Sequence, residues 1–168
     1  MKRKTKIINL FGGPGSGKSS TAGELFGYMK QKRLSVEYVL EIAKPYATIK
    51  DYKTLDDQIF MFGQNQHQLY TYLGEVDWII SDSPLLLSYI YIDGNMSKFS
   101  GKDSPFRKQF KKFVIETFNN FNNVNFFVDR QNREFRQEGR VHDEIQSREL
   151  DNKIKDLLDD YYYLIPLI

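Results

Sequence analysis

Apolar and polar positions along this chain follow two alternating periods. Short apolar runs of strand length are separated by longer segments in which apolar residues return every three or four positions. Lys6 to Phe11, Ser35 to Leu40, Val76 to Ser81 and Val124 to Val128 are runs of the first kind. Ser20 to Lys32 is predicted as a helix with Leu25, Phe26 and Met29 on one side. A helical region after Glu41 breaks near Asp51-Tyr52-Lys53 and resumes over Asp56 to Leu73, with Ile59, Phe62, Leu69 and Leu73 at helical spacing. Gly74 ends it. Ser104 to Phe121 is amphipathic, with Phe106, Phe110, Phe113, Val114, Phe118 and Phe121 on a predicted core stripe. Asp93 to Asp103 is expected to be a mobile loop, and Arg130 to Gly139 is polar and irregular. A last helix is predicted from about His142 to Tyr161, and a last strand over Tyr163 to Ile168.

Alternating β and α units imply an α/β fold, a parallel sheet with helices on both faces. The chain shows no internal repeat and no linker rich in Pro, Gly or Ser, so residues 1–168 are expected to form a single domain. In such sheets ligands sit outside the carboxyl ends of the strands. The residues that follow each strand are therefore where chemistry is expected.

Composition narrows the classes. The 24 Lys and Arg nearly balance the 22 Asp and Glu, so overall charge demands neither a nucleic acid nor a membrane as partner. The absence of cysteine removes disulfides, thiolate metal sites and a cysteine nucleophile. No apolar run approaches the ~20 residues of a membrane span. The basic start Met1-Lys2-Arg3-Lys4 has no apolar signal segment behind it, so a soluble, cytoplasmic protein is expected.

After the first strand stands Gly12-Gly13-Pro14-Gly15-Ser16-Gly17-Lys18-Ser19, which fits the phosphate-loop pattern G-x-x-x-x-G-K-[ST] without a mismatch. Strand, glycine loop and helix is the context that pattern requires. Glycines let successive N–H groups turn inward on a phosphate chain, and the helix adds its positive end. The residues predicted to hold the nucleotide are Gly13, Gly15, Ser16, Gly17, Lys18, Ser19 and Ser20. Lys18 would reach the β- and γ-phosphates of ATP, and the Ser19 hydroxyl would ligate Mg²⁺.

After the second strand comes Glu41, then Lys44. A carboxylate facing a bound nucleotide from there would accept a proton from a substrate hydroxyl; the same Glu would also suit a surface cap of the next helix. Lys44 would balance charge on a phosphate or lie solvated. After the third strand comes Ser81-Asp82-Ser83-Pro84, where Asp82 has the placing of a Walker B aspartate holding Mg²⁺, and Asp82 or Ser83 would also suit a helix cap.

Asp129-Arg130 opens a segment in which Arg130, Arg133, Arg136, Arg140 and Arg148 occur with no lysine between Phe113 and Asn152. Guanidinium groups grip phosphate oxygens in a bidentate fork and neutralise charge on a moving phosphoryl group. The segment would suit a lid over about 130–145, with Arg130, Arg133 and Arg140 catalytic and Arg136 on the substrate. Interleaved Glu134, Glu138, Asp143, Glu144 and Glu149 would equally suit a salt-bridged surface helix. On the Asp56 to Leu73 helix, Gln64 and Gln68 lie four apart and would read a base edge or ribose, or else face solvent; His67 is given no catalytic role.

Gly12 to Ser19, the turn Glu41-Ile42-Ala43-Lys44 and the stretch Val76 to Pro84 together resemble small P-loop kinase-like proteins, often phage-encoded and classed with AAA-type ATPases. They are similar to the nicotinamide-riboside kinase module of bacterial NAD metabolism and, more distantly, to deoxynucleoside and nucleoside-monophosphate kinases. The resemblance spans about Ile7 to Leu158. It implies a three-layer P-loop fold of nucleotide-kinase type with a five-stranded parallel sheet, ATP–Mg²⁺ as phosphoryl donor, and a base at the end of strand two, which falls on Glu41. Deoxynucleoside kinases usually carry Glu-Arg after strand three, where this chain has Asp82-Ser83, and this leaves the acceptor open. The expected activity is transfer of the γ-phosphate to a nucleoside- or nucleotide-like acceptor. A related expectation is a kinase acting on a hydroxymethylated base in DNA, with Lys2-Arg3-Lys4, Arg107-Lys108 and Lys111-Lys112 as a basic track. A third is a nucleotide-dependent switch, although the GTPase element N-K-x-D is absent from the fourth-strand region.

Overall fold

Strand β1 (Lys6–Phe11) is buried at every position after Lys6, as a strand must be when both faces of its sheet are covered. In the computed structural model, which describes residues 3–95, 101, 104–130, 141–161 and 165–166, β1 lies at the centre of a wholly parallel sheet. The order is β2 (Val36–Val39), β3 (Trp78–Ser81), β1, β4 (Asn123–Phe127), with the two-residue β5 (Ile165–Pro166) beside β4. Registers Ile8↔Ile80 and Phe11↔Phe127 bring the carboxyl ends of β1, β3 and β4 to one edge.

Alternation along β1 divides the core. Ile8 and Leu10 join Val36, Ile80 and the inner face of α1 (Lys18–Gln31) through Ala22 and Met29. Ile7 and Phe11 face the opposite layer, built from α4 (Gln58–Tyr72), α5 (Ser88–Asn95), α6 (Pro105–Asn119) and α7 (Glu144–Tyr161). Two short helices, α2 (Ala43–Thr48) and α3 (Tyr52–Asp56), carry the chain from β2 to α4. Asp51 and Asp57 cap α3 and α4 by accepting from the Thr54 and Phe60 N–H groups, which is why the helical region breaks where it does.

Three expectations need correcting. The aromatic stripe of α6 is narrower than its sequence spacing implies: Phe110, Val114 and Phe118 are buried, while Phe106 and Phe113 are 42% and 55% exposed. The i, i+4, i+8 row enters the core, and Phe113, rotated from it, lies against Phe62 with ring centroids 5.4 Å apart. The loop expected from Asp93 begins instead as the last turn of α5. There Asp93 accepts a charge-assisted hydrogen bond from Lys111 at 2.5 Å and pairs with Arg107 at 3.7 Å, fastening α5 to α6. Arg107 is consequently only 1% exposed and is no part of a basic track on the surface. The segment after Pro84, for which Asp82 or Ser83 was one candidate helix cap, forms the 3₁₀ turn Leu85–Leu87 and then α5.

Candidate functional site

Phe11 delivers the chain into the glycine loop, and α1 starts at Lys18 behind Gly17, whose φ of 101° is open to glycine at little cost. Gly17 has no side chain with which to cap, so the first-turn N–H groups of α1 face the site as donors for an anion. Lys18 folds back on the loop, its Nζ donating to Gly12 O at 2.7 Å and Gly13 O at 3.0 Å. Burial pushes its pKa below the ordinary lysine value, against the opposing pull of Glu41, Asp82 and Asp151, and Arg130 lowers it further.

The loop is held from behind by α7. Asp151 accepts the Gly13 N–H through Oδ1 at 2.5 Å and Arg130 Nε through Oδ2 at 2.6 Å. The Arg130 guanidinium also donates to Pro14 O and Ser147 O, each at 3.2 Å. All three of its nitrogens thus bond this chain's own groups, and Arg130 is 4% exposed, a buried strut beneath the phosphate loop. Arg133, Arg136 and Arg140 lie outside the described residues. Arg148 is exposed and pairs with Glu144 at 2.8 Å, the salt-bridged surface arrangement.

Asp82, at the end of β3, is buried at 2% exposure beside the loop. The Tyr38 hydroxyl on β2 donates to its Oδ2 at 2.7 Å, while Oδ1 is buried and has no hydrogen-bond partner among the described residues. Burial, helped by the Asp82 carboxylate, pushes the Tyr38 pKa above the ordinary tyrosine value, so the hydroxyl remains a donor. The following 3₁₀ turn begins after Pro84, which has no side-chain group to cap it, so neither Asp82 nor Ser83 holds the cap position. Glu41 stands one residue outside the cap position of α2, which is Ile42, and lines the same cavity as Lys18 and Asp82.

That cavity, about 590 Å³, is lined by the loop, by Glu41, Lys44 and Asp82, and by residues of α3, α4 and α5. Leu55, Met61 and Leu87 supply its apolar wall, with Gln58, Asn65 and Tyr91 among them. Gln64 is exposed and neither it nor Gln68 lines the cavity; Gln58 and Asn65, seven apart, do. The spacing rule identified a shared helix face but not the one turned inward, which Met61, Phe62 and Leu69 define. Asn65 lies on that face with its Oδ1 buried and without a hydrogen-bond partner among the described residues, and its Nδ2 is 3.5 Å from Ser83 Oγ. His67 faces solvent. His142 instead lines the cavity, its ring 6.3 Å from that of Tyr91, and burial pushes its pKa below the ordinary histidine value.

Sequence reasoning passed over Asp151, Tyr38, Asn65, Tyr91 and His142. None follows a strand directly, the position searched for chemistry. Asn65 alone had a legible signal, an amide in the middle of a helix's apolar face.

Comparison with known structures returns the same architecture. The NadR protein in complex with NR matches with a TM-score of 0.61 at 12% identity, over 98% of this chain and 46% of that one. The chain therefore spans about half the length of that protein. Deoxyadenosine kinase from M. mycoides, solved with dCMP and dCDP, matches with a TM-score of 0.60 at 18% identity, over 96% of this chain and 90% of that one. Thymidylate kinase from Ehrlichia chaffeensis matches with a TM-score of 0.60 at 14% identity, over 96% and 87% of the two chains. No curated protein sequence matches. Among the described residues no helix is long and apolar enough to cross a membrane. The fold is that of P-loop nucleotide kinases. The family model described as an AAA domain matches residues 7–167, nearly the whole chain, and the chain belongs to that family.

Proposed function

We propose that this chain is an ATP-dependent phosphotransferase that moves the γ-phosphate to a nucleoside- or nucleotide-like acceptor. The observation that carries the reading is the extent of the cavity: one cavity is lined by the phosphate loop, Glu41 and Asp82 and also by Leu55, Met61 and Leu87 with the amides of Gln58 and Asn65. A switch needs only the phosphate loop; the further lining from α3, α4 and α5 suits an acceptor held beside the transferring group.

The loop and the start of α1 would bind the phosphates, with Lys18 turning from the Gly12 and Gly13 carbonyls to the β- and γ-oxygens. Glu41, which lines the cavity with Lys18 and Asp82, would orient the acceptor hydroxyl and take its proton. Ser19 and Asp82 fit Mg²⁺: both line the cavity, and Asp82 Oδ1 is a buried oxygen with no hydrogen-bond partner among the described residues. Among the described residues no group of three or more His, Cys, Asp or Glu could hold a metal, which accords with an ion held largely by phosphate oxygens. When bound, Mg²⁺ would neutralise charge on those oxygens. Arg133, Arg136 and Arg140, between the Arg130 strut and His142, are the arginines proposed to meet the moving phosphate from the lid.

Incubation with γ-labelled ATP, Mg²⁺ and a panel of nucleosides, nucleotides and hydroxymethylated DNA tests the reading. Label is expected on a small acceptor, and transfer should fall at least about a hundredfold in Lys18→Ala. Hydrolysis indifferent to every acceptor would overturn it in favour of a switch, and label only on DNA in favour of a DNA kinase.

A further inference from the structure

Tyr38 stands beside the carboxylate assigned to the metal. It lies on β2 opposite Ile80, two residues before Asp82 on the neighbouring strand. Its hydroxyl donates to Asp82 Oδ2 at 2.7 Å. Its ring packs against Phe26 of α1, with centroids 6.2 Å apart, so the hydroxyl is located by packing on one side and by that bond on the other.

A carboxylate has two chemically equivalent oxygens, and rotation about its last bond exchanges them. The bond from Tyr38 breaks that equivalence by engaging Oδ2, and Oδ1 is left buried without a hydrogen-bond partner among the described residues. Buried polar atoms in folded proteins are nearly always partnered, and one that is not calls for a ligand, a water or an ion. We propose that Tyr38 is a positioning residue for the metal site: by holding Asp82 Oδ2 it presents Oδ1 to the Mg²⁺ of the bound nucleotide. The inference rests on the metal role proposed above for Ser19 and Asp82. Groups that hydrogen-bond a metal ligand and fix its orientation typically change metal affinity by about tenfold to a hundredfold when removed.

Tyr38→Phe keeps the ring against Phe26 and deletes only the hydroxyl. In the full chain carrying a non-hydrolysable ATP analogue, Mn²⁺ affinity read by electron paramagnetic resonance should weaken by about tenfold. Binding of the same analogue in EDTA should be unchanged, which mere structural damage would not spare. Unchanged Mn²⁺ affinity overturns the inference, and so does tighter binding, which would make the hydroxyl a competitor of the ion. Asp82→Asn separates the layers: if it binds Mn²⁺ with the analogue as tightly as the unaltered chain does, the metal role of Asp82 has failed. If Asp82→Asn weakens Mn²⁺ binding and Tyr38→Phe does not, only the role of Tyr38 has failed. Should Tyr38→Phe not fold, ¹³Cζ-tyrosine NMR of the unaltered chain decides the matter. A Tyr38 signal that keeps its hydrogen-bonded position when Mg²⁺ and the analogue bind supports the inference, and a shift to the position of a free phenol overturns it.

Discussion

Asp151 accepts the backbone N–H of Gly13 at 2.5 Å, across 138 residues of chain. This bond fixes the first half of the glycine loop to α7. The other oxygen of Asp151 holds Arg130, three residues past the end of β4. One buried carboxylate thereby ties the glycine loop, the segment after β4 and α7 together, so the shape of the loop depends on how α7 is seated.

Gly13→Ala should be poorly tolerated. A Cβ at this position would lie 2.5 Å from Ser147 O, 2.8 Å from Asp151 Oδ1 and 3.0 Å from the Arg130 guanidinium. Backbone oxygen cannot step aside as a side-chain end can, so α7 must move. A loss of about 1–3 kcal/mol is expected from urea unfolding, as for an overpacked core. Nucleotide affinity should fall with it, and Gly23→Ala on the open face of α1 is the control that should cost nothing in binding.

The Arg130–Asp151 pair should show strong coupling. Both residues are buried, at 4% and 8% exposure, so removing one partner strands the other's charge away from water. Arg130→Ala is expected to destabilise by about 3–5 kcal/mol, and Asp151→Ala by a similar amount. The double variant should cost clearly less than the sum, which a double-mutant cycle in urea would measure. If Arg130 were chiefly a lid arginine free to reach the phosphate, its replacement would lower turnover and leave the unfolding midpoint nearly unchanged.

Asn65→Ala should raise the KM for the acceptor by about threefold to tenfold, the worth of one neutral hydrogen bond, with the KM for ATP unchanged. Gln64→Ala, one position along the same helix, should alter neither, since Gln64 is exposed and outside the cavity lining. Steady-state kinetics with the acceptor identified by labelling would check both. An acceptor KM that responds to Gln64 and not to Asn65 would reverse the assignment of the helix face.

How much of this was legible in the sequence follows from the range of each interaction. The phosphate loop is local, eight successive residues whose order specifies their conformation, and Gly12 to Ser19 could be recognised outright. Parallel strands buried on both faces are mostly apolar, so β1 was assigned to its observed residues, Lys6–Phe11, despite the buried Asn9 within it. That Asp82 and Glu41 line one cavity with Lys18 was legible because one topological rule, ligands at the carboxyl ends of strands, converts sequence position into spatial position. No such rule brings Asp151 to Gly13, or Tyr38 to Asp82; those contacts depend on how a helix returns to the sheet and on which strands adjoin. Arg130 shows the same limit from the other side. Its place after β4 was plain, but only the packed structure directs its guanidinium beneath the loop, to Pro14 and Ser147.

His142 gives the site a predictable response to acid. Burial against Tyr91 lowers its pKa below the ordinary 6.5, despite the raising effect of Asp143. As pH falls through 6.5, the unfolded chain takes up a proton at this position and the folded chain does not. The unfolded state then binds more protons, so stability rises with pH across the interval between the folded and unfolded values and falls as pH drops through it. Urea midpoints at pH 7.5 and pH 5.5 should therefore differ more for the unaltered chain than for His142→Phe, which keeps an aromatic ring beside Tyr91 and cannot be protonated. An equal or larger difference in His142→Phe would mean that His142 is charged in the folded state. In that case its place in the cavity would be beside an anion rather than against the Tyr91 ring.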